Sequence, residues 1–185
     1  MSEKSVVDQV KEAVISTIRG TGEVVNAVTD TVSDVLVQTI RSTGQVGTTV
    51  TSAVTEVARG VIQGTEHVGG DLGKAAKGAV LGVVRGTREV GGETLETVSA
   101  SASSLVKSTA AVGGDLATTA RSAVEGAIQG ARELGLSAEE AASAAATGAI
   151  KAAAEIGNTA VVQVRNAVTG VIAGVKVIIR EPFKD

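Results

Sequence analysis

His67 is the only histidine in the chain, and there is no cysteine to accompany it. A general base, a thiol nucleophile or a zinc site each needs a second group of the right type close by. His67 instead stands in a polar column that elsewhere holds Glu23, Gln45, Glu89 and Glu133, and it reads as a solvated side chain. The stretch from Gly69 to Ala75 begins like a phosphate loop. However, the spacing before Gly73–Lys74 is wrong, and Ala75 replaces the Ser or Thr such a loop requires. Gly20–Thr21–Gly22 opens a dinucleotide-like pattern, but Val25 stands where its third glycine belongs. The expectation is a non-enzymatic chain with no catalytic residue, no metal and no cofactor.

Charge and composition narrow the partners. The net charge is −3, from 17 basic and 20 acidic residues scattered along the chain. Nucleic-acid binding calls for a basic stripe, often with aromatic stacking platforms. This chain has one Phe and no Trp or Tyr, so a nucleic-acid partner is not expected. Hydrophobic residues make up 43% of the chain, too many for a typical disordered sequence, yet they are small, and 23 residues are Gly. The opening MSEKSVVDQVKEAV mixes acids with bases and has no unbroken apolar run, so a cytoplasmic location is expected, with a peripheral membrane contact as the variant.

What must position any functional group is a repeat. Blocks of 22 residues starting at Ala13 align the chain without an insertion. The division is an N-terminal helical leader over 1–12, eight repeats over 13–178 and a C-terminal tail over 179–185. One apolar column reads Ile18, Ile40, Ile62, Val84, Val106, Ile128, Ile150 and Ile172. Within each block the apolar places recur at the i, i+3, i+4, i+7 spacing of a helical face, rather than alternating as in a strand. Twenty-two is twice eleven, and eleven residues close three turns, so the stripe hardly drifts. Threonines Thr21, Thr43, Thr65, Thr87 and Thr109 lie on this stripe. The i, i+4 pairs Arg19–Glu23, Arg85–Glu89 and Lys151–Glu155 agree with a helix.

A second column, Gly47, Gly69, Gly91, Gly113, Gly135 and Gly157, marks helix ends, because glycine reaches positive φ without a Cβ clash. Asp71, Asp115, Ser137 and Thr159 follow two residues later, where they could cap the next helix. The fold class is therefore all-α: eight amphipathic helices of ~20 residues in an antiparallel array, joined by Gly-x turns. The alternative is long, near-continuous helices that run through the glycines. It draws support from the unbroken phase of the stripe, and from the cost of placing Glu89, Glu133 and Glu155 at helix C-termini.

Beside the stripe runs a small-residue ridge with G-x-x-x-G pairs at Gly60/Gly64, Gly82/Gly86, Gly126/Gly130 and Gly170/Gly174. Such pairs let two helix backbones approach closely. The period and the Val/Thr/Ala/Gly bias, clearest in Ser122–Ala131, resemble the eleven-residue repeats of synucleins and perilipins. The 22-residue period is similar to that of exchangeable apolipoproteins. That resemblance implies a lipid surface as partner, although the synuclein repeat is richer in Lys and apolipoprotein repeats are punctuated by Pro. No segment reads as a membrane span. The best, Asn166 to Ile179, is 14 residues with Lys176 inside it, short of the ~20 required, and reads as a buried or interfacial helix. Pro182 is expected to end the last helix, and Phe183 lies in the tail.

The leading expectation is a structural or scaffolding repeat protein that self-assembles through its small-residue faces into an oligomer, filament or tube, with itself as partner. The alternative is a peripheral lipid- or granule-binding helical protein.

Overall fold

A computed structural model describes residues 5–21, 23–43 and 48–179. Among these it has eight helices: α1 (Val6–Thr21), α2 (Val24–Thr43), α3 (Thr48–His67), α4 (Leu72–Glu89), α5 (Thr94–Ala111), α6 (Leu116–Glu133), α7 (Ala138–Ile156) and α8 (Asn158–Val168). A short hairpin, β1 (Gly170–Ile172) and β2 (Val175–Val177), follows them. Apart from this hairpin, which falls in the eighth repeat, the described residues form an all-α antiparallel array rather than long continuous helices. α1 runs from within the expected leader into the first repeat.

Each helix packs most extensively against the helix two places away. The odd helices α1, α3, α5 and α7 therefore form one layer, and α2, α4, α6 and α8 form the other. Between the layers lies a core of Val, Ile, Leu and Ala, including Val14, Val32, Leu36, Ile62, Val80, Leu105, Val124 and Ile128. Thr65, Thr87 and Thr109 are buried at the edge of this core, and the Thr87 hydroxyl hydrogen-bonds Thr97 at 3.0 Å.

The turns explain why the breaks fall where they do. Gly69, Gly91, Gly113 and Gly135 take φ of +66°, +73°, +72° and +69°. At the first of them, Gly69 N–H donates to Glu66 O at 3.0 Å and Gly70 N–H to Thr65 O at 2.8 Å. This doubled bond satisfies the last carbonyls of α3 and forces the chain out of the helix. The same pair of bonds recurs at Gly91–Gly92, Gly113–Gly114 and Gly135–Leu136. Asp71, Asp115 and Ser137 then accept the amide hydrogens of Lys74, Thr118 and Glu140 at 3.0, 3.1 and 3.2 Å. Glu93 holds the same place before α5 without a side-chain cap bond.

Two expectations change at the C-terminal end. Gly157, at φ +152°, marks a helix end as expected but makes no such turn: it is at once the C-cap of α7 and the N-cap of α8, so Thr159 lies inside α8 instead of capping it. The eighth repeat is not helical throughout, for α8 stops at Val168 and not at Pro182. Gly170 (φ +92°) and Gly174 (φ +81°) are hairpin residues, not a helical ridge. Ile172 pairs with Val175 on strand β1. The cause lies in the sequence of this block. The β-branched Val171, Ile172, Val175 and Val177 flank Ala173–Gly174, both at positive φ, the two-residue turn that closes a right-twisted hairpin. Gly47 and the tail from Arg180, with Pro182 and Phe183, lie outside the described residues.

The capping geometry carries a pH-dependent consequence. The Thr118 amide, then its hydroxyl, hold the Asp115 carboxyl below the usual carboxylate range. A carboxyl depressed in the folded state adds stability above its unfolded pKa, and that stability is lost as pH falls through the folded value. Asp115→Ala should therefore cost about 1 kcal/mol at neutral pH. The difference from the parent should shrink at acid pH, as the pH falls through the lowered folded value. Urea denaturation at neutral and acid pH checks both; a cost that stays constant with pH would contradict the cap.

Candidate functional site: the small-residue seams

The ridge glycines of α3, α4 and α6 sit where one helix meets the helix two places earlier in the same chain. A Cβ built on Gly60 would lie 2.7 Å from Val7 O, on Gly64 2.9 Å from Lys11 O, and on Gly82 2.6 Å from Thr29 O. On Gly126 it would lie 2.5 Å from Lys77 O. Gly86 and Gly130 face the side chains of Leu36 and Val84, each at 3.1 Å. The helices pack backbone against backbone, and any larger residue at a carbonyl-facing position must push them apart. Thr29 adds a polar bridge, with its hydroxyl 2.8 Å from Val25 O and 3.1 Å from Gly78 O on α4.

Sequence reasoning left two members of the seam outside the paired ridge. A Cβ on Gly78 would meet Val25 O at 2.6 Å, and one on Gly148 would collide with Ser99 O. The signal for Gly78 was present, since it continues the four-residue spacing of Gly82 and Gly86. Gly148 was visible in its column but lacked a glycine partner, Ala152 standing four residues on. Conversely, Gly170 and Gly174 do not join the seam: nothing lies within 4 Å of a Cβ on the first, and only Arg132 Nη2, at 3.6 Å, near the second. The apolar column is brought together, with Ile18, Ile40, Ile62, Val84, Val106, Ile128 and Ile150 buried on helices and Ile172 buried on the hairpin.

The charged face is organised by the same seams. Arg41 pairs with Glu89 at 2.9 Å, Arg85 with Glu133 at 2.8 Å, and Lys107 with Glu155 at 2.8 Å, each between helices two places apart. Arg85 and Glu155 thus turn to neighbouring helices for these bonds, whereas Arg85–Glu89 and Lys151–Glu155 were the pairs read within one helix. Close approach of the backbones brings the next helix as near as the next turn. It also answers the objection to acids at helix C-termini, because a cation from the adjacent helix faces each of these three. Arg85, through its hydrogen bond, holds the Glu133 carboxyl below its usual range, as Lys107 does for Glu155. All three pairs are largely solvated, so each adds little stability.

The residues first inspected for chemistry have structural places. His67 is the exposed last residue of α3. The phosphate-loop lookalike is the α3–α4 turn and the buried start of α4, with Asp71 capping Lys74. No group of three or more potential metal ligands occurs among the described residues. No described helix is long and apolar enough to cross a membrane. The N-terminal end of the stack differs from its middle. Ser16, Gln38 and Ser42 occupy the ridge columns there and are exposed, and a Cβ on Gly20 would meet nothing within 4 Å.

Comparison with known proteins bears on the fold. A de novo designed helical repeat protein is similar to this chain with a TM-score of 0.52 at 16% sequence identity, over 88% of this chain and 90% of that one. At that identity the likeness is one of architecture alone. No protein-family model matches the chain. No curated protein matches it either, so the resemblance to synucleins, perilipins and apolipoproteins rests on period and composition.

Two glycines separate seam packing from helix propensity. Gly20→Ala, in open space on α1, should stabilise the protein by about 0.4–1 kcal/mol. Gly82→Ala should destabilise it by about 1–3 kcal/mol, since its Cβ meets the Thr29 carbonyl rather than a movable side chain. Thermal and urea unfolding of the two variants measure this. Equal, favourable effects would show that the α2–α4 seam is looser than described.

Proposed function

We propose that the chain is a non-catalytic structural scaffold: a stack of helix hairpins whose small-residue faces hold its own helices together and whose outer layers are left for partners. The observation that carries this reading is the position of Gly60, Gly82 and Gly126, each against a backbone carbonyl of the same chain. Self-assembly through those faces would require the chain to surrender its α1–α3, α2–α4 and α4–α6 contacts. On this reading dilute protein is monomeric.

Peripheral lipid binding uses the same sequence features differently. It needs the column from Ile18 to Ile150 to face acyl chains, and those residues are engaged between the two layers. Lipid would therefore have to compete with a formed core, not merely order a random chain.

Circular dichroism and light scattering decide among the three. The scaffold reading expects strong helicity in buffer, a cooperative melt, a mass of one 18.3 kDa chain independent of concentration, and no gain of helix with anionic vesicles. A disordered chain that becomes helical only on vesicles would establish the lipid reading instead, and a mass that rises with concentration would restore assembly between copies.

A further inference from the structure

A trough beside the α4–α5 and α6–α7 turns has a lining unlike the groove between α3 and α5. Its deeper part, a cavity of about 320 Å³, lies where the α4–α5 and α6–α7 turns meet. Val84, Ala131, Leu136 and Ala141 contribute apolar lining, and Arg88, Glu93 and Glu140 charge. A second hollow of about 310 Å³ continues along α5 and α7 and shares Leu95 and Glu140 with the first, adding Glu96, Ser99, Ser143, Ala144 and Thr147. Leu95 is 41% exposed, and it is the one large hydrophobic residue of that exposure among those described that lies outside the C-terminal segment from Ile156.

Two features indicate the occupant. The two hollows follow one another from the α4–α5 and α6–α7 turns along α5 and α7 through the shared Leu95 and Glu140, and they offer small side chains, Ser99, Ser143 and Ala144, beside an apolar anchor. That form suits an extended chain more than a compact metabolite. Its charges are Glu93, Glu96 and Glu140 against Arg88, so the field favours a cation. The neighbouring groove between α3 and α5 is the opposite. It is lined by Thr55, Arg59, Ala100, Ser103, Ser104, Lys107 and Ser108, with cations and no large apolar residue. We propose that the α5–α7 trough binds a basic, extended peptide segment of a protein partner, seating one aliphatic side chain against Leu95 and Leu136 with Lys or Arg residues beside Glu93, Glu96 and Glu140.

The complementarity is one of charge around an apolar anchor, so it predicts selectivity as well as binding. The probe is a capped Lys-Val-Lys-Leu-Lys peptide titrated into the full chain and followed by amide and methyl NMR. Saturable shifts should concentrate on Leu95, Leu136, Ala141 and Ala144, and they should weaken with added salt. A capped Glu-Val-Glu-Leu-Glu peptide should leave those signals unmoved. Leu95→Ser should weaken binding about tenfold by removing the anchor. Glu93→Lys, at a place without a cap bond to lose, should weaken it several-fold. The proposal is overturned by absence of saturable shifts, by equal response to the acidic peptide, or by parent-like binding in both variants. Shifts of the same signals on simple dilution would also overturn it, by assigning the trough to a second copy. The inference needs the stack to be folded in solution, and the helicity of the same samples by circular dichroism separates a failed scaffold from a failed site.

Discussion

The approach of one helix backbone to the carbonyls of the helix two places earlier is the constraint on which the rest of the molecule depends. At Gly82 and Gly126 a single Cβ would stand within 2.6 and 2.5 Å of a carbonyl oxygen. Glycine at such sites costs ~1 kcal/mol each in helix propensity, so the helices are poor by themselves and are held by packing. The same closeness limits the space between neighbouring helices. It favours Val, Ala and Ile over aromatic rings in the core, and it brings cations such as Arg85 within reach of acids on the next helix of the layer. Composition, core and surface pairing are three consequences of one distance.

The period follows from keeping that distance constant. α4, α5 and α6 each contain 18 residues, and the turns between them have the same four-residue form, as in Val90–Gly91–Gly92–Glu93. Equal helices joined by equal turns return each ridge glycine to the height of its partner. An insertion of one residue would rotate a whole helix by ~100° and present a bulky column to the seam. The unbroken phase of the apolar stripe, which argued for a continuous helix, is therefore equally a requirement of a stacked array. Phase alone does not distinguish the two; the recurring doubled hydrogen bond at Gly69, Gly91, Gly113 and Gly135 does.

Much of this was legible in the residues. Helix type, period, turn glycines and the caps Asp71, Asp115 and Ser137 each have a local cause, and local causes can be read from one chain. What was not legible is whether a small-residue ridge meets its own chain or another, because the sequence contains the same ridge in either case. Pairing partners were hidden for a related reason. Arg85 has Glu89 four residues on, but Glu133 becomes its partner only once α4 and α6 are adjacent. The eighth repeat failed differently. Its columns kept the register through Gly170, Ile172 and Gly174, while the β-branched residues between them had already changed the preferred backbone.

The first helices and the last described elements of the array depart from the repeat in different ways. At the N-terminal end the secondary structure is retained and the ridge columns change, with Ser16, Gln38 and Ser42 exposed where α3, α4 and α6 bury glycine. No described helix packs on those columns, so the steric demand for glycine is absent there and polar side chains are tolerated. At the C-terminal end the columns are retained and the secondary structure changes. There the hairpin packs against α7, reaches α6 and buries Ile172, Val175 and Val177. Arg132 holds its turn through Ala173 O at 2.8 Å. A two-stranded hairpin is marginal in isolation, so this one depends on the helices it covers. Loss of glycine at one end and loss of helix at the other follow from the same fact: the ridge is required only where another helix must come close.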